Sequence, residues 1–129
     1  MTISHHTPKN LFAPIGPYSH FSQVGNFIQI SGTPGVNPKT GEMAGADAYS
    51  QSKQILLNFE HMLQMVNADL TNILHIHVFL KNVEDFAEMN RAYAEIFQEH
   101  YPARTVIVVA DLPKAGALMT MNATAVTSK

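Results

Sequence analysis

Two segments with helical spacing of their apolar residues, each flanked by strand-like segments, place the strongest constraint on the fold of this chain. The helical spacing runs over 46–67 and again over 83–98. Strands are predicted over 23–31, 73–81, 104–110 and 117–126, and the segment 8–17 reads as extended chain. This order predicts an α+β fold with both helices on one face of a sheet.

The two faces of the predicted strands differ in polarity. In 73–81 one alternating set is wholly apolar and should meet the helices: Leu74, Ile76, Val78 and Leu80. The opposite set is mixed: Ile73, His75, His77 and Phe79. In 117–126 the apolar set is Met119, Met121, Ala123 and Ala125, and the polar set is Thr120, Asn122 and Thr124. A half-polar second face predicts an interface lined with a polar pocket.

Composition narrows the class of protein and its partners. A length of 129 residues predicts a single domain over 1–129 with a modest core. Only 14% of the residues are charged, which indicates a surface partly covered by copies of the same chain. The formal charge of −2 argues against nucleic acid as a partner. The absence of cysteine excludes disulfides, thiolate zinc sites and cysteine nucleophiles.

The N-terminal residues lack the pattern of a secretory signal, and no apolar run reaches the ~18 residues that span a bilayer. A cytoplasmic protein without membrane contact is therefore expected. His5 and His6 fall in a segment expected to be mobile, and no role is predicted for them.

Arg104 is the first candidate for a ligand-binding residue because it opens the apolar strand that follows Pro102. Its planar guanidinium matches a carboxylate in bidentate geometry. The alternative is an arginine at a strand end that pairs with a surface acid, and spacing alone favours this alternative.

The histidines and the Ser31–Gly32 turn are weaker candidates. His75 and His77 project from one face, yet no Asp or Glu in the neighbouring strands completes a ligand set, so no metal site is predicted. Ser31 and Gly32 could cradle an oxyanion, or they could simply form a turn. The chain contains no nucleophile elbow, phosphate loop or dinucleotide fingerprint, so no cofactor is predicted.

Several short motifs, spread over nearly the whole chain, together resemble the Rid (YjgF-type, reactive intermediate deaminase) family. They are Ala13-Pro14-Ile15-Gly16-Pro17-Tyr18, Ile30-Ser31-Gly32, Val36-Asn37-Pro38-Lys39-Thr40-Gly41, Val78-Phe79-Leu80-Lys81, Asn90-Arg91-Ala92-Tyr93, Pro102-Ala103-Arg104 and Leu112-Pro113-Lys114. The resemblance implies a chorismate-mutase-like homotrimer with clefts between subunits. It also implies hydrolysis of 2-imino or enamine acids, such as 2-aminoacrylate and 2-iminopropanoate, to 2-keto acids and ammonia without metal or cofactor.

The resemblance also assigns roles to single residues. Arg104 matches the arginine that binds the substrate carboxylate. The other positions implied to line or order the cleft are Tyr18, Ser31, Gly32, Asn90 and Val106, the last standing where many members have cysteine.

The chain departs from the family at the last strand, where many active members carry a Glu-x-Glu pair. Thr120 and Asn122 occupy the two acidic positions. The resemblance implies that Asn122 replaces the glutamate that positions or activates the attacking water in those family members. An amide can hold a water molecule but cannot accept its proton as a carboxylate does. His20, His75 and His77 are candidates for a substitute base.

Three further functions stay open from the sequence. One is a catalytically reduced trimer that binds or senses small keto or imino acids. Another is a specialised catabolic deaminase of the 2-aminomuconate type. The least favoured is cleavage of RNA, because the chain has no basic stripe.

Overall fold

The computed structural model describes residues 1–127, which form two helices and a six-stranded sheet. The helices are α1 (Ala48–Gln64) and α2 (Phe86–Phe97), and short 3₁₀ turns cover Leu70–Asn72 and Val83–Asp85. The strands are β1 (Ser4–His6), β2 (Phe21–Val24), β3 (Phe27–Pro34), β4 (Ile73–Leu80), β5 (Ala103–Val108) and β6 (Met119–Val126). Within the described part of the chain, no helix is long and apolar enough to cross a membrane.

The strands lie in the order β1-β2-β3-β6-β4-β5. All neighbours pair antiparallel except β4 and β5, which are parallel because α2 forms the crossover between them. The two helices pack on one face of this mixed sheet, so the predicted α+β fold is confirmed. Among residues 1–127, no helix packs on the other face of the sheet and no strand pairs with the outer edge of β5.

The core lies between the helices and one face of the sheet. α1 begins after Asp47, whose carboxylate accepts a hydrogen bond from the Ser50 amide at 2.9 Å. Ile55, Phe59 and Met62 of α1 are fully buried, as the helical spacing predicts. The alternation predicted for β6 is also confirmed, since Met119, Met121, Ala123 and Ala125 are fully buried and the intervening residues are half-buried.

The prediction for the faces of β4 is wrong at its start. Leu74 is 59% exposed, whereas Ile73 is buried. The pairing of β4 with β6 shifts register between Ile73 and His75, and this irregularity reverses the alternation at that point. From Ile76 onward the predicted faces hold.

Two features at the N-terminal side of the sheet also differ from expectation. His5 and His6, which are expected in a mobile segment, belong to β1, which pairs with β2. The strand predicted over 23–31 is a hairpin, because Gly25, at φ +59°, begins a two-residue turn between β2 and β3.

Candidate functional site

A cavity of about 460 Å³ lies where β3, β6, the segment before β2 and the loop before β6 meet. Its lining includes the hydroxyl-bearing residues Tyr18, Ser31 and Thr120, together with Gly32, and it is otherwise mainly apolar. We call it the hydroxyl cavity. Lys114 is the only charged residue of the described chain that lines it.

Hydrogen bonds to the backbone fix Ser31 in this cavity. The Ser31 hydroxyl donates to the Ser19 carbonyl at 2.6 Å, and its amide donates to the His20 carbonyl at 2.9 Å. The hydroxyl proton is engaged by the Ser19 carbonyl, so the Ser31 hydroxyl oxygen still has lone pairs that can accept a hydrogen bond from a ligand.

Gln51 of α1 holds the wall of the hydroxyl cavity that contains Ala117. This glutamine is fully buried, and its amide nitrogen donates to the carbonyls of Gly45 at 2.8 Å and Gly116 at 3.0 Å. Its amide oxygen accepts from the Leu118 amide at 2.8 Å. One side chain therefore satisfies backbone groups on both sides of Ala117.

A second cavity, of about 360 Å³, lies beside Arg104 and is lined also by Asn90, Tyr93, Tyr101 and Pro102. We call it the arginine cavity. The Arg104 guanidinium donates from Nη1 to Asn90 Oδ1 at 2.7 Å and lies 4.7 Å from the centre of the Tyr93 ring. Burial raises the pKa of the Tyr93 hydroxyl to about 12, although the charge of Arg104 opposes the rise.

Arg104 has no carboxylate partner within residues 1–127. The ion pairs of this part of the chain join Lys81 to Asp111 and Arg91 to Glu88 and Glu95. The alternative of a strand-end arginine paired with a surface acid is therefore not what the structure contains. A half-buried guanidinium held by a neutral amide retains donors for an anion.

The remaining predicted residues lie outside both cavities. Val106 follows on the same face of β5 as Arg104 and packs against the core. Asn122 lies on the outer face of the sheet, where its Oδ1 is 3.0 Å from Nδ1 of His77. The His75 ring lies 4.4 Å from that of His77, and its Nε2 is 3.3 Å from the hydroxyl of Thr105.

Within one protomer the predicted site residues are thus divided into two groups. Tyr18, Ser31 and Gly32 line the hydroxyl cavity, whereas Asn90 and Arg104 line the arginine cavity, and no described residue lines both. Among residues 1–127 there is also no group of three or more His, Asp or Glu side chains placed to hold a metal ion.

Comparison with known proteins identifies the family. The family model described as endoribonuclease L-PSP matches residues 8–127. The chain belongs to this family. It is the YjgF/RutC/Rid family that the sequence motifs resemble, so the predicted family is confirmed.

Relatives within the L-PSP family cover most of the chain. A RutC family protein of Pyrococcus horikoshii is 42% identical over 106 residues, which are 82% of this chain and 84% of that protein. A 2-iminobutanoate/2-iminopropanoate deaminase of Capra hircus is 38% identical over 104 residues, 81% of this chain and 76% of its own. The structure of Escherichia coli TdcF with bound serine superposes with a TM-score of 0.89 at 31% identity, covering 97% of this chain and 99% of TdcF.

The structure places the two residues at the family's acidic positions in different surroundings. Thr120 and Asn122 share one face of β6, but only Thr120 reaches the hydroxyl cavity. Gln51, which holds the cavity wall, belongs to none of the sequence motifs. The feature of the sequence that could have indicated its role is the position of a polar residue near the apolar stripe of α1.

Proposed function

We propose that the chain is a cytoplasmic deaminase that hydrolyses small 2-imino or enamine acids to 2-keto acids and ammonia. The observation that carries the proposal is Arg104, whose guanidinium is oriented by Asn90 at 2.7 Å and has no carboxylate partner in residues 1–127. Two relatives support it by their names, since the Capra hircus protein is called an imine deaminase and TdcF holds an amino acid.

We further propose that the site is completed between protomers of a homotrimer. The arginine cavity of one subunit would meet the hydroxyl cavity of its neighbour, because the two cavities share no lining residue within a protomer. The edge strand β5 supports this arrangement, since Ile107 and Val108 are 47% and 52% exposed and no strand of residues 1–127 pairs with its outer edge.

In this proposal Arg104 binds the substrate carboxylate and leaves the C=N carbon facing the hydroxyl cavity. Water adds to that carbon and gives one proton to the nitrogen, which forms a carbinolamine. The carbinolamine hydroxyl then gives its proton to the nitrogen as the C–N bond breaks, which releases ammonia and leaves a keto group. Ser31 and Thr120 hold the water by hydrogen bonds. Orientation and charge stabilisation carry the rate, because neither cavity has a described carboxylate to act as general base.

The test generates 2-iminobutanoate in situ and follows its hydrolysis in the presence of a trapping agent. The wild type should accelerate the reaction, and Arg104→Ala should lose about 100-fold or more in kcat/KM because the substrate carboxylate loses its charged partner. Arg91→Ala is the matched control, since Arg91 is exposed and pairs with Glu88 at 2.8 Å. Equal activity of the wild type and Arg104→Ala would refute the site.

One observation favours a second candidate, a trimer that binds keto or imino acids without turnover. No Asp or Glu of the described chain lines either cavity, and general-base assistance is typically worth about 100- to 10,000-fold. This candidate predicts saturable binding of 2-oxobutanoate with no acceleration of imine hydrolysis.

A pair of glutamate variants distinguishes the two candidates. In a binding protein, Thr120→Glu should create activity because residue 120 lines the hydroxyl cavity, whereas Asn122→Glu should not. In a deaminase the wild type is already active, and Thr120→Glu only raises the rate. Activation by Asn122→Glu alone would instead give the catalytic position to the outer face of the sheet.

A further inference from the structure

We propose that His20 is a positioning residue that holds Tyr18 and Ser31 at the hydroxyl cavity and thereby sets the affinity for the substrate. The kinetic part of this inference rests on the proposed function. Its structural part concerns only the segment between Phe12 and His20.

His20 is buried, with only 2% of its surface exposed. Its Nε2 lies 2.7 Å from the carbonyl oxygen of Phe12. Because a carbonyl can only accept, Nε2 carries the hydrogen and donates it. The bond joins two residues that are eight positions apart and closes a loop that contains Pro14, Gly16 and Pro17.

His20 contacts two of the three hydroxyl-bearing residues that line the hydroxyl cavity, Tyr18 and Ser31. Its ring meets the Tyr18 ring edge-on at 6.5 Å between centres, and the Phe12 ring at 5.0 Å. Its carbonyl accepts the Ser31 amide at 2.9 Å, and its own amide donates to the His6 carbonyl at 2.9 Å. One residue therefore joins the Tyr18 segment to β1 and to β3.

A further bond ties the near end of the Tyr18 segment to the sheet, because the Ser31 hydroxyl donates to the Ser19 carbonyl at 2.6 Å. The Tyr18 amide donates to the Gly16 carbonyl at 2.9 Å, which shapes a turn within the segment but makes no link to a strand. Tyr18 itself is 37% exposed. The Nε2 bond of His20 thus fixes the far end of this loop and, with it, the side of the cavity that Tyr18 forms.

The same geometry argues against His20 as a general base. Its Nε2 is occupied by the Phe12 carbonyl, and His20 does not line the hydroxyl cavity. Its effect on a bound molecule must pass through Tyr18 and Ser31, so it should appear in KM more than in kcat.

Glutamine and asparagine variants of His20 test whether the hydrogen bond to the Phe12 carbonyl is needed, or whether any polar side chain at this position suffices. The amide nitrogen of glutamine occupies about the place of Nε2 and can donate to Phe12, whereas that of asparagine occupies the place of Nδ1 and cannot reach it. In the imine assay His20→Gln should keep KM within about twofold, and His20→Asn should raise it about tenfold with little change in kcat. His6→Asn is the control for the substitution itself, because the half-exposed His6 ring hydrogen-bonds to the Ser4 hydroxyl, stacks on the Phe21 ring at 4.6 Å and does not line the hydroxyl cavity.

Equal KM values for the two His20 variants would overturn the inference. A fall in kcat in both variants with KM unchanged would also overturn it, because that result would make His20 a general base.

A second measurement does not depend on turnover. The chain has four tyrosines, so protein labelled with 3-fluorotyrosine should give four ¹⁹F resonances, and Tyr18→Phe assigns one of them. His20→Asn should shift or broaden the Tyr18 resonance and leave those of Tyr49 and Tyr101 in place, while His20→Gln should leave all four unchanged. An unmoved Tyr18 resonance in His20→Asn would refute the positioning role, whereas an inactive wild type with a moved resonance would refute only the proposed deamination.

Discussion

Replacing the fully buried Gln51 by methionine removes three hydrogen bonds while nearly preserving side-chain volume. The variant leaves the Leu118 amide and the carbonyls of Gly45 and Gly116 without their partner. An intramolecular hydrogen bond contributes about 1 kcal/mol on average, so the loss of three should lower the free energy of unfolding by about 3 kcal/mol. With an unfolding entropy of about 2.1 cal/mol/K per residue, this loss corresponds to a Tm lower by about 11 °C.

The assay is differential scanning calorimetry at one fixed protein concentration, because assembly of subunits makes Tm depend on concentration. Gln64→Met is the matched control, since Gln64 is exposed in the last turn of α1 and should tolerate methionine with little change. If Gln51→Met lowered Tm no more than Gln64→Met, the three bonds would not hold the loop around Ala117. If Gln51→Met also raised the KM for the imine substrate, the result would agree with the position of Ala117 in the lining of the hydroxyl cavity.

Three further predictions test local features by thermal or urea unfolding. Gly35→Ala should cost about 1–3 kcal/mol, because its Cβ would lie 2.6 Å from the Gln51 carbonyl oxygen, whereas Gly16→Ala, whose nearest neighbouring atom is 3.8 Å away, should not lower Tm measurably. The pKa of Tyr93 is about 12, above its ordinary value of 10, so its contribution to stability is complete below pH 10 and is lost as the pH rises through 12. Tyr93→Phe should therefore lose less stability than the wild type between pH 8 and pH 11, and an equal loss would contradict this. Asp47→Ala should destabilise by about 1 kcal/mol through loss of the helix cap, and Asp47→Ser should restore most of it.

Much of the fold was predictable because its periodic patterns are uninterrupted. The apolar stripe of α1 and the alternation in β6 depend only on local geometry, and the structure confirms both. Leu74 was assigned to the wrong face because a shift in register between two strands leaves no sign in the sequence of either one. The hairpin at Gly25 was missed because strand propensity continues on both sides of a two-residue turn.

The residues of the candidate site were predictable from the sequence, but their arrangement in space was not. Motifs identified Arg104, Asn90, Tyr18 and Ser31, yet only the structure shows that they line two different cavities of one protomer. Contacts such as the Nε2 bond of His20 join positions whose separation no periodicity encodes.

The position of β6 at the centre of the sheet has a consequence for biosynthesis. β6 follows all other strands in the sequence, yet it pairs with both β3 and β4, with Phe27 opposite Val126. Until β6 emerges from the ribosome, strands β1 to β3 on one side and the β4–β5 pair on the other have no shared strand, and each exposes an edge of unpaired backbone N–H and C=O groups. The nascent chain should therefore complete its sheet only after synthesis of β6, and it should depend on chaperones during that interval more than a sheet whose strands pair in sequence order.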